Sequence, residues 1–529
     1  MNLSIDTTSP HPVRLQTTAL TVLSAILLPL SLPNPIFSLG SPLLGVFALV
    51  PLYMALMACQ SVRQSIRMGI IFGIISTSIG NFWLAFFQDF SIWTLGGAVI
   101  GYAVYNALLF PFLFQATRSK LPIRPIWFAA IWTGYELLKS IGFLGYPWGL
   151  LAYSWNEVLP LIQIADLFGV YGISFLLVLA NATTAEFLRG VQSAELRQVT
   201  AFTAVLAAAA WIYGLTALER DIPRIDTIDA VLIQNDGDSW QPGGFWPELE
   251  RIQTLTNQAI ESNPEPDLIV WSETVLRYPL QEYRSYYRSN PLSSPFLSFL
   301  DKLPAPLLSG GAYIIDRERN DLINAALLLD RQGVIQEVYG KQHLVPFAET
   351  IPFFEYDAVR WFFQSVIGLR SMWLSGMEYR MFPLQGSSGN TLQYGTPICF
   401  EDAFSYITRD MAHEGADFFI NITNNSWSRT DSAQTQHFAA ARFRTIETRR
   451  TLIRATNSGF TSVVDPWGRS VASLPMFTPA VLHASVDIYR PAVESVYMLV
   501  GDLLAWLCIL ATATALVTQN VVQYKRKAP

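Results

Sequence analysis

Apolar residues crowd the chain from about Leu15 to Leu218 in runs separated by short polar breaks, give way to a mixed pattern, and return in one run near the far end. The runs lie at 17–32, 42–59, 68–87, 92–116, 125–140, 160–186, 200–217 and 496–518. Most approach the roughly 20 residues a helix needs to cross the hydrocarbon core of a bilayer, so the pattern predicts about eight membrane-spanning helices. The first and fifth are short or interrupted by proline. Pro29 near the end of the first run, with Pro33 and Pro35 after it and no small-residue cleavage site, does not suit a signal peptide. Between Ile225 and Val486 the periodicity changes. Short β-rich runs at 229–234, 267–272, 306–314, 322–330, 394–399, 417–422, 451–455 and 460–465 alternate with helical stretches at 247–262, 402–414 and 433–449. This alternation predicts an α/β fold with a buried sheet. The expected division is seven membrane helices in 1–218, an α/β domain in 219–490, and a last helix with a basic tail in 491–529. About 260 residues suffice for a core that folds without help.

Charge orients this layout. Arg14, Arg63 with Arg67, Arg118 with Lys120 and Arg124, Arg189 with Arg197, and Lys525 to Lys527 fall in alternate breaks. Basic loops stay cytoplasmic, so both ends face the cytoplasm and the α/β domain faces the other side. Composition agrees: 51% of residues are hydrophobic and 14% charged, against about 25% charged in soluble domains. A net charge of -6 lacks the basic footprint of a nucleic-acid binder. Cys59, Cys399 and Cys508 are too few and scattered for a disulfide framework. The five histidines lack paired ligand spacing, so no metal is expected. Without a Walker or dinucleotide glycine pattern, no nucleotide cofactor is expected either.

Three strand ends of the α/β domain carry reactive side chains. Glu273 follows LIVWS, Lys341 sits in VYGKQHLVPFAE, and Cys399 ends YGTPIC before FED. Taken singly, each has a bland reading as a solvated acid, a surface charge or an inert buried thiol. Taken together they suit one another, because a thiol with a free pKa near 8.5 needs a base or a positive charge to become a nucleophile. Glu273 is a candidate proton acceptor and Lys341 a candidate partner for thiolate and oxyanion. His343 and His437 compete as bases of a Cys–His pair, although a structural role is the commoner one for each.

The stretches WSET, YGKQHLVPFAE and GTPICFEDAF resemble the nitrilase superfamily, and with the membrane helices the chain resembles its apolipoprotein N-acyltransferase branch. GYPWGLLAYSW (145–155), IQIADLFGVYGISF (162–175), NITNNSW (421–427), QTQHFAAARFRTIETRR (434–450) and RATNSGF (454–460) extend the resemblance over nearly the whole chain. It implies a multi-pass helical membrane part joined to a nitrilase-like α-β-β-α sandwich. It also implies that Cys399 is the nucleophile, Glu273 the general base and Lys341 the stabiliser of the tetrahedral intermediate. Glu349 and Glu401 match further acidic positions, and the N–H of Phe400 is the implied oxyanion donor. Phe400 departs from the family, where an aromatic with a hydroxyl is more familiar, and Asn425 stands where Asp is frequent.

The implied reaction moves an acyl chain from a membrane phospholipid through a Cys399 thioester to the α-amino group of a diacylglyceryl-cysteine at an apolipoprotein N-terminus. It needs no cofactor and takes place at the periplasmic face of a bacterial inner membrane. Candidate lipid contacts are Trp361 and Phe362 in the aromatic segment 351–373, Trp240 and Trp246 as a second rim, and Trp148, which with Tyr146 and Trp155 also reads as an interfacial belt. Glu136 and Lys139 are expected to pair one helical turn apart. Competing readings are a membrane-anchored amidase or nitrilase with water as acceptor, a transporter with an outer domain, and a non-catalytic scaffold.

Overall fold

The computed structural model describes residues 10–86, 91–120, 122–191, 193–237, 243–262, 264–319, 321–351, 353–368 and 373–527. Each of the eight apolar runs is helical over most of its length. The main helices are Pro10–Ser31, Val50–Ala58, Val62–Gly80, Ser91–Thr117, Ile123–Ser140, Ala165–Leu188, Ala194–Leu218 and Leu503–Lys527. Among the described residues, however, only three are long and apolar enough to cross a membrane by length and composition: Trp93–Thr117, Ala165–Leu188 and Ala194–Leu218. Leu15–Ser31, Pro42–Ala58 and Leu503–Thr518 are apolar but shorter. Charges account for two of the remainder, since Arg63 and Arg67 open one helix while Arg124, Glu136 and Lys139 dilute another.

Glu136 and Lys139 do not pair as expected. Both are buried, and each fixes the 145–155 loop instead. Lys139 Nζ donates to the carbonyl of Trp148 at 2.8 Å, and Glu136 Oε1 accepts from the Leu151 N–H at 2.8 Å and from Trp132 Nε1 at 3.0 Å. All three cysteines are free and buried.

Among the described residues the remainder is built on twelve strands. They are β1 (Arg224–Gln234), β2 (Leu268–Val270), β3 (Leu307–Asp316), β4 (Asp321–Leu329), β5 (Ile335–Gly340), β6 (Phe382–Gln385), β7 (Thr391–Gly395), β8 (Phe418–Thr423), β9 (Leu452–Thr456), β10 (Ser462–Val464), β11 (Ser470–Ser473) and β12 (Ala480–Tyr489). Two six-stranded sheets result, in the orders β12-β1-β2-β3-β4-β5 and β11-β10-β9-β8-β7-β6. Period-two alternation sorts the first sheet's side chains. Leu232, Val270, Leu308 and Ala326 join Tyr394, Phe418 and Ile420 of the second sheet in one core. Their neighbours Val231, Ile269, Leu307 and Ala325 turn outward onto Leu249 and Ile252 of the Phe245–Ser262 helix. Helices Ser405–His413 and Asp431–Thr448 cover the second sheet. The architecture is the expected α-β-β-α sandwich. The expected strand 394–399 stops at Gly395, and Cys399 instead opens a 3-10 turn, Cys399–Ala403.

The Asp431–Thr448 helix is buried from Ser432 to its end. One side lies on the second sheet and the other on the membrane part, which explains why charged side chains interrupt its apolar pattern. Gln436 Nε2 donates to Pro33 O at 2.8 Å, Arg442 Nη1 to Asn156 O at 2.8 Å, and Glu447 Oε1 accepts from the Val170 N–H at 3.0 Å. Arg449, which ends the helix at φ +53°, meets Asp166 at 2.7 Å. A single core runs from Leu28 and Trp148 through Phe400 and Phe443 to Leu308.

Candidate active site

Three chain segments deliver the expected residues to one buried place. β2 ends at Val270, Trp271 locks the chain by donating from Nε1 to Thr256 Oγ1 at 3.0 Å, and Glu273 follows two residues later. β3 passes so close here that a Cβ on Gly310 would stand 2.5 Å from Glu273 Cα and from Thr274 N, so only glycine fits. Lys341 follows β5, its N–H continuing the ladder to Asn324 O at 2.8 Å. Cys399 follows the bridge between Ile398 and Ile422 and takes φ +55°, in the left-handed region that a residue with a Cβ rarely enters.

Glu273, Lys341 and Glu349 form one network. Lys341 Nζ donates to Glu273 Oε1 at 3.2 Å and to Glu349 Oε1 at 2.9 Å. Asn324 Nδ2 donates to the same two oxygens, at 2.8 and 3.1 Å. The second oxygen of Glu273 accepts from the Asn424 N–H at 2.8 Å, and that of Glu349 from the Val345 N–H at 2.8 Å. Burial alone would lower the Lys341 pKa, but the two carboxylates hold its ammonium well above the usual lysine range. The Cys399 side is 8% exposed. Burial pushes its thiol up, the negative charge of the adjoining Glu273 carboxylate adds to this, and Lys341 pulls the other way. At rest the thiol is therefore protonated and faces a base, with a fixed cation beside it.

Glu401 lies behind this network. Its carboxylate accepts from the N–H groups of Ile398 (2.7 Å), Gln342 (2.8 Å) and His343 (3.0 Å), so it ties the Cys399 turn to the Lys341 loop. Burial raises its pKa to about 7 against the pull of these donors and of Lys341. The Phe400 N–H lies in the first turn after Cys399, where helical N–H groups have no partner within the helix. Its ring packs on His343 at 5.4 Å, Phe404 at 4.9 Å and Trp148 at 6.3 Å. Both histidines are engaged with other side chains. His343 Nδ1 meets Tyr406 Oη at 2.6 Å, and burial, then Lys341, lower its pKa to about 4. His437 Nε2 meets Asp402 at 2.7 Å.

The aromatic candidates separate. Trp148 is beside the site: its ring stacks on Tyr146 at 5.2 Å and reaches His437 at 5.3 Å as well as Phe400. Trp246 packs among Phe245, Tyr286 and Tyr287 on the outer side of the first sheet, which puts it with that sheet's outer core. Trp240 lies outside the described residues. In the 351–373 segment, Trp361 (63% exposed) and Phe362 (44%) stand out on a short helix, Asp357–Trp361, continued by a π-helical turn, Phe362–Ile367. Trp373 is buried with Ala312 and Leu344. Among the described residues no group of three or more His, Cys, Asp or Glu side chains is arranged to hold a metal ion.

Sequence reasoning missed Asn324, and it read the stretch NITNNSW without giving Asn421 or Asn424 a role at the site. A signal existed for Asn324, since an amide inside the apolar strand DLINAALLL must find partners when buried.

Residues 24–183 match the family model described as the apolipoprotein N-acyltransferase N-terminal domain, and residues 230–491 match that of carbon-nitrogen hydrolase. The chain is 38% identical over 482 residues to apolipoprotein N-acyltransferase 2 of Treponema denticola, covering 88% of this chain and 91% of that one. The chain belongs to the apolipoprotein N-acyltransferase family. Other relatives in the family are apolipoprotein N-acyltransferase 2 of Treponema pallidum, 36% identical over 92% of each chain, and apolipoprotein N-acyltransferase of Borreliella burgdorferi, 33% identical over 91% and 92%. Among solved structures, a Saccharomyces cerevisiae member of branch 10 of the nitrilase superfamily is 18% identical with a TM-score of 0.37, covering 50% of this chain and 91% of that one. In this N-acyltransferase family member, the hydrolase-like match contains Glu273, Lys341 and Cys399 together.

Proposed function

We propose that the chain transfers an acyl chain from a membrane phospholipid, by way of a thioester on Cys399, to the α-amino group of the diacylglyceryl-cysteine that begins an apolipoprotein. The observation that carries this reading is the buried meeting of Cys399, Glu273 and Lys341 in a member of this family. Because the resting thiol is protonated, deprotonation has to accompany attack. Glu273 takes the thiol proton as sulfur bonds to the ester carbonyl carbon. Lys341 and the Phe400 N–H take the charge that develops on the carbonyl oxygen. Collapse breaks the ester C–O bond, Glu273 returns the proton to the departing oxygen, and a lysophospholipid leaves. The amine then attacks the thioester, Glu273 accepts a proton from its nitrogen, and the thiol is regenerated as the amide forms. Glu349 and Asn324 hold Lys341 and Glu273 in place through both halves.

In this reading all eight helices span a bacterial inner membrane, both termini are cytoplasmic, and the sandwich stands at the periplasmic face. Both substrates are lipids, and exposing an acyl chain to water costs about 0.8 kcal/mol per methylene. Trp361 and Phe362 supply an apolar surface at the rim and Trp148 a floor. Mass spectrometry of the purified protein after incubation with phospholipid tests the proposal. The expected result is one acyl adduct on Cys399, discharged by a diacylated lipopeptide with a free amine and absent from Cys399→Ala. Discharge by water alone would indicate a hydrolase, and a wild type that forms no adduct would refute the thioester.

A further inference from the structure

The Cys399 turn is held in its left-handed conformation by three sets of bonds, and such a conformation persists only when its surroundings enforce it. Glu401 makes one set. Asn421 makes the second, Nδ2 donating to Pro397 O at 2.9 Å and Cys399 O at 2.8 Å. Asp402, which takes no part in the reaction above, makes the third. Its carboxylate is fully buried between His437 Nε2, 2.7 Å from one oxygen, and Arg454 Nε, 2.9 Å from the other. Arg454 belongs to β9 and is itself fixed by donating to Phe460 O at 3.2 Å. His437 belongs to the Asp431–Thr448 helix and rests on Trp148, which also touches the ring of Phe400. Asp402 is thus the point where the second sheet, the buried helix and the aromatic floor grip the nucleophile's turn.

We infer that Asp402, clamped by His437 and Arg454, is a positioning residue that sets the Cys399 thiol against Glu273, with His437 acting as a hydrogen-bond donor and not as a base. The inference rests on the reading of Cys399 as nucleophile, so the test on the full chain has one readout that needs no lipid. Alkylation of Cys399 by iodoacetamide, followed by peptide mass spectrometry, is slowed in the wild type by Glu273→Gln. Asp402→Asn slows it as well, and Glu273→Gln adds little in that background because the thiol no longer faces the base. Effects that multiply in the double variant, or a wild-type rate indifferent to Glu273→Gln, overturn the inference. The second readout is acylation of Cys399 by phospholipid. His437→Ala lowers the maximal rate about 10²-fold, the scale of a 1 Å misplacement, at an unchanged half-saturating lipid concentration. His437→Gln, whose amide N–H reaches the same carboxylate, recovers most of the rate and serves if Asp402→Asn does not fold. A wild-type rate in His437→Ala, or a Gln variant as slow as Ala, overturns the inference. Coupled alkylation with no acyl adduct on the wild type leaves the clamp standing and removes the transferase reading instead.

Discussion

Among single residues, Glu401 shows how a buried acid can be a joint without being a reagent. Its pKa of about 7 lies above the ordinary glutamate value because burial penalises the charge. Between about pH 4.5 and 7 the folded chain keeps a proton that the unfolded chain has released, so stability from this group is present at low pH and is lost as pH rises through that window. A raise of this size corresponds to roughly 3 kcal/mol. Glu401→Gln cannot titrate. The thermal midpoint of the wild type should therefore fall relative to that of the variant between pH 5 and 8, and a constant separation across that range would contradict the account. His343, held neutral by its lowered pKa, contributes with the opposite sign but is common to both proteins.

Whole elements explain what the sequence made legible and what it hid. Short runs rich in β-branched and apolar residues exposed β1, β3, β4 and β8, which are buried on both faces over much of their length, and the stretches around Glu273, Lys341 and Cys399, more than any strand end, pointed to the site. β5, β6, β11 and β12 carry polar or exposed residues instead, so their pattern looked like loop. The Asp431–Thr448 helix misled in the other direction. Charged residues on a helix ordinarily face water, yet Arg442, Arg444 and, just past the helix end, Arg449 each have a buried partner across the seam or within the fold. Pairing over such sequence distances, 283 residues for Arg449 and Asp166, leaves no local trace. Arg449→Ala removes the charge that faces Asp166 while Tyr213 and Arg220 still reach it. The expected loss is about 3 kcal/mol, the lower end for breaking a buried pair, read as a lower thermal midpoint in detergent. Arg449→Lys should restore little of it, because an ammonium cannot reproduce the guanidinium's fork to Asp166 and Gln163.

For the molecule as a whole, the proposed reaction would have the exposed rings of Trp361 and Phe362 and the buried Cys399 thiol at the two ends of its substrate path. Trp361→Ser with Phe362→Ser should lower acylation from phospholipid vesicles about tenfold or more, since two large rings no longer enter the bilayer edge, while acylation by a soluble short-chain ester changes little. Equal losses with both donors would place these rings in the fold and not at the lipid. The unbroken core beneath the site has a different consequence, for protein engineering. Cutting the chain near residues 219 and 490 would not release a water-soluble catalyst, because the cut bares the flank of the Asp431–Thr448 helix that faces the membrane part, with Phe443 apolar, Arg442 stripped of Asn156 and Glu157, and Arg449 stripped of Asp166 and Gln163. Any soluble edition of this chemistry has to rewrite that flank first, and the positions to rewrite are those now turned toward Asn156, Gln163 and Asp166.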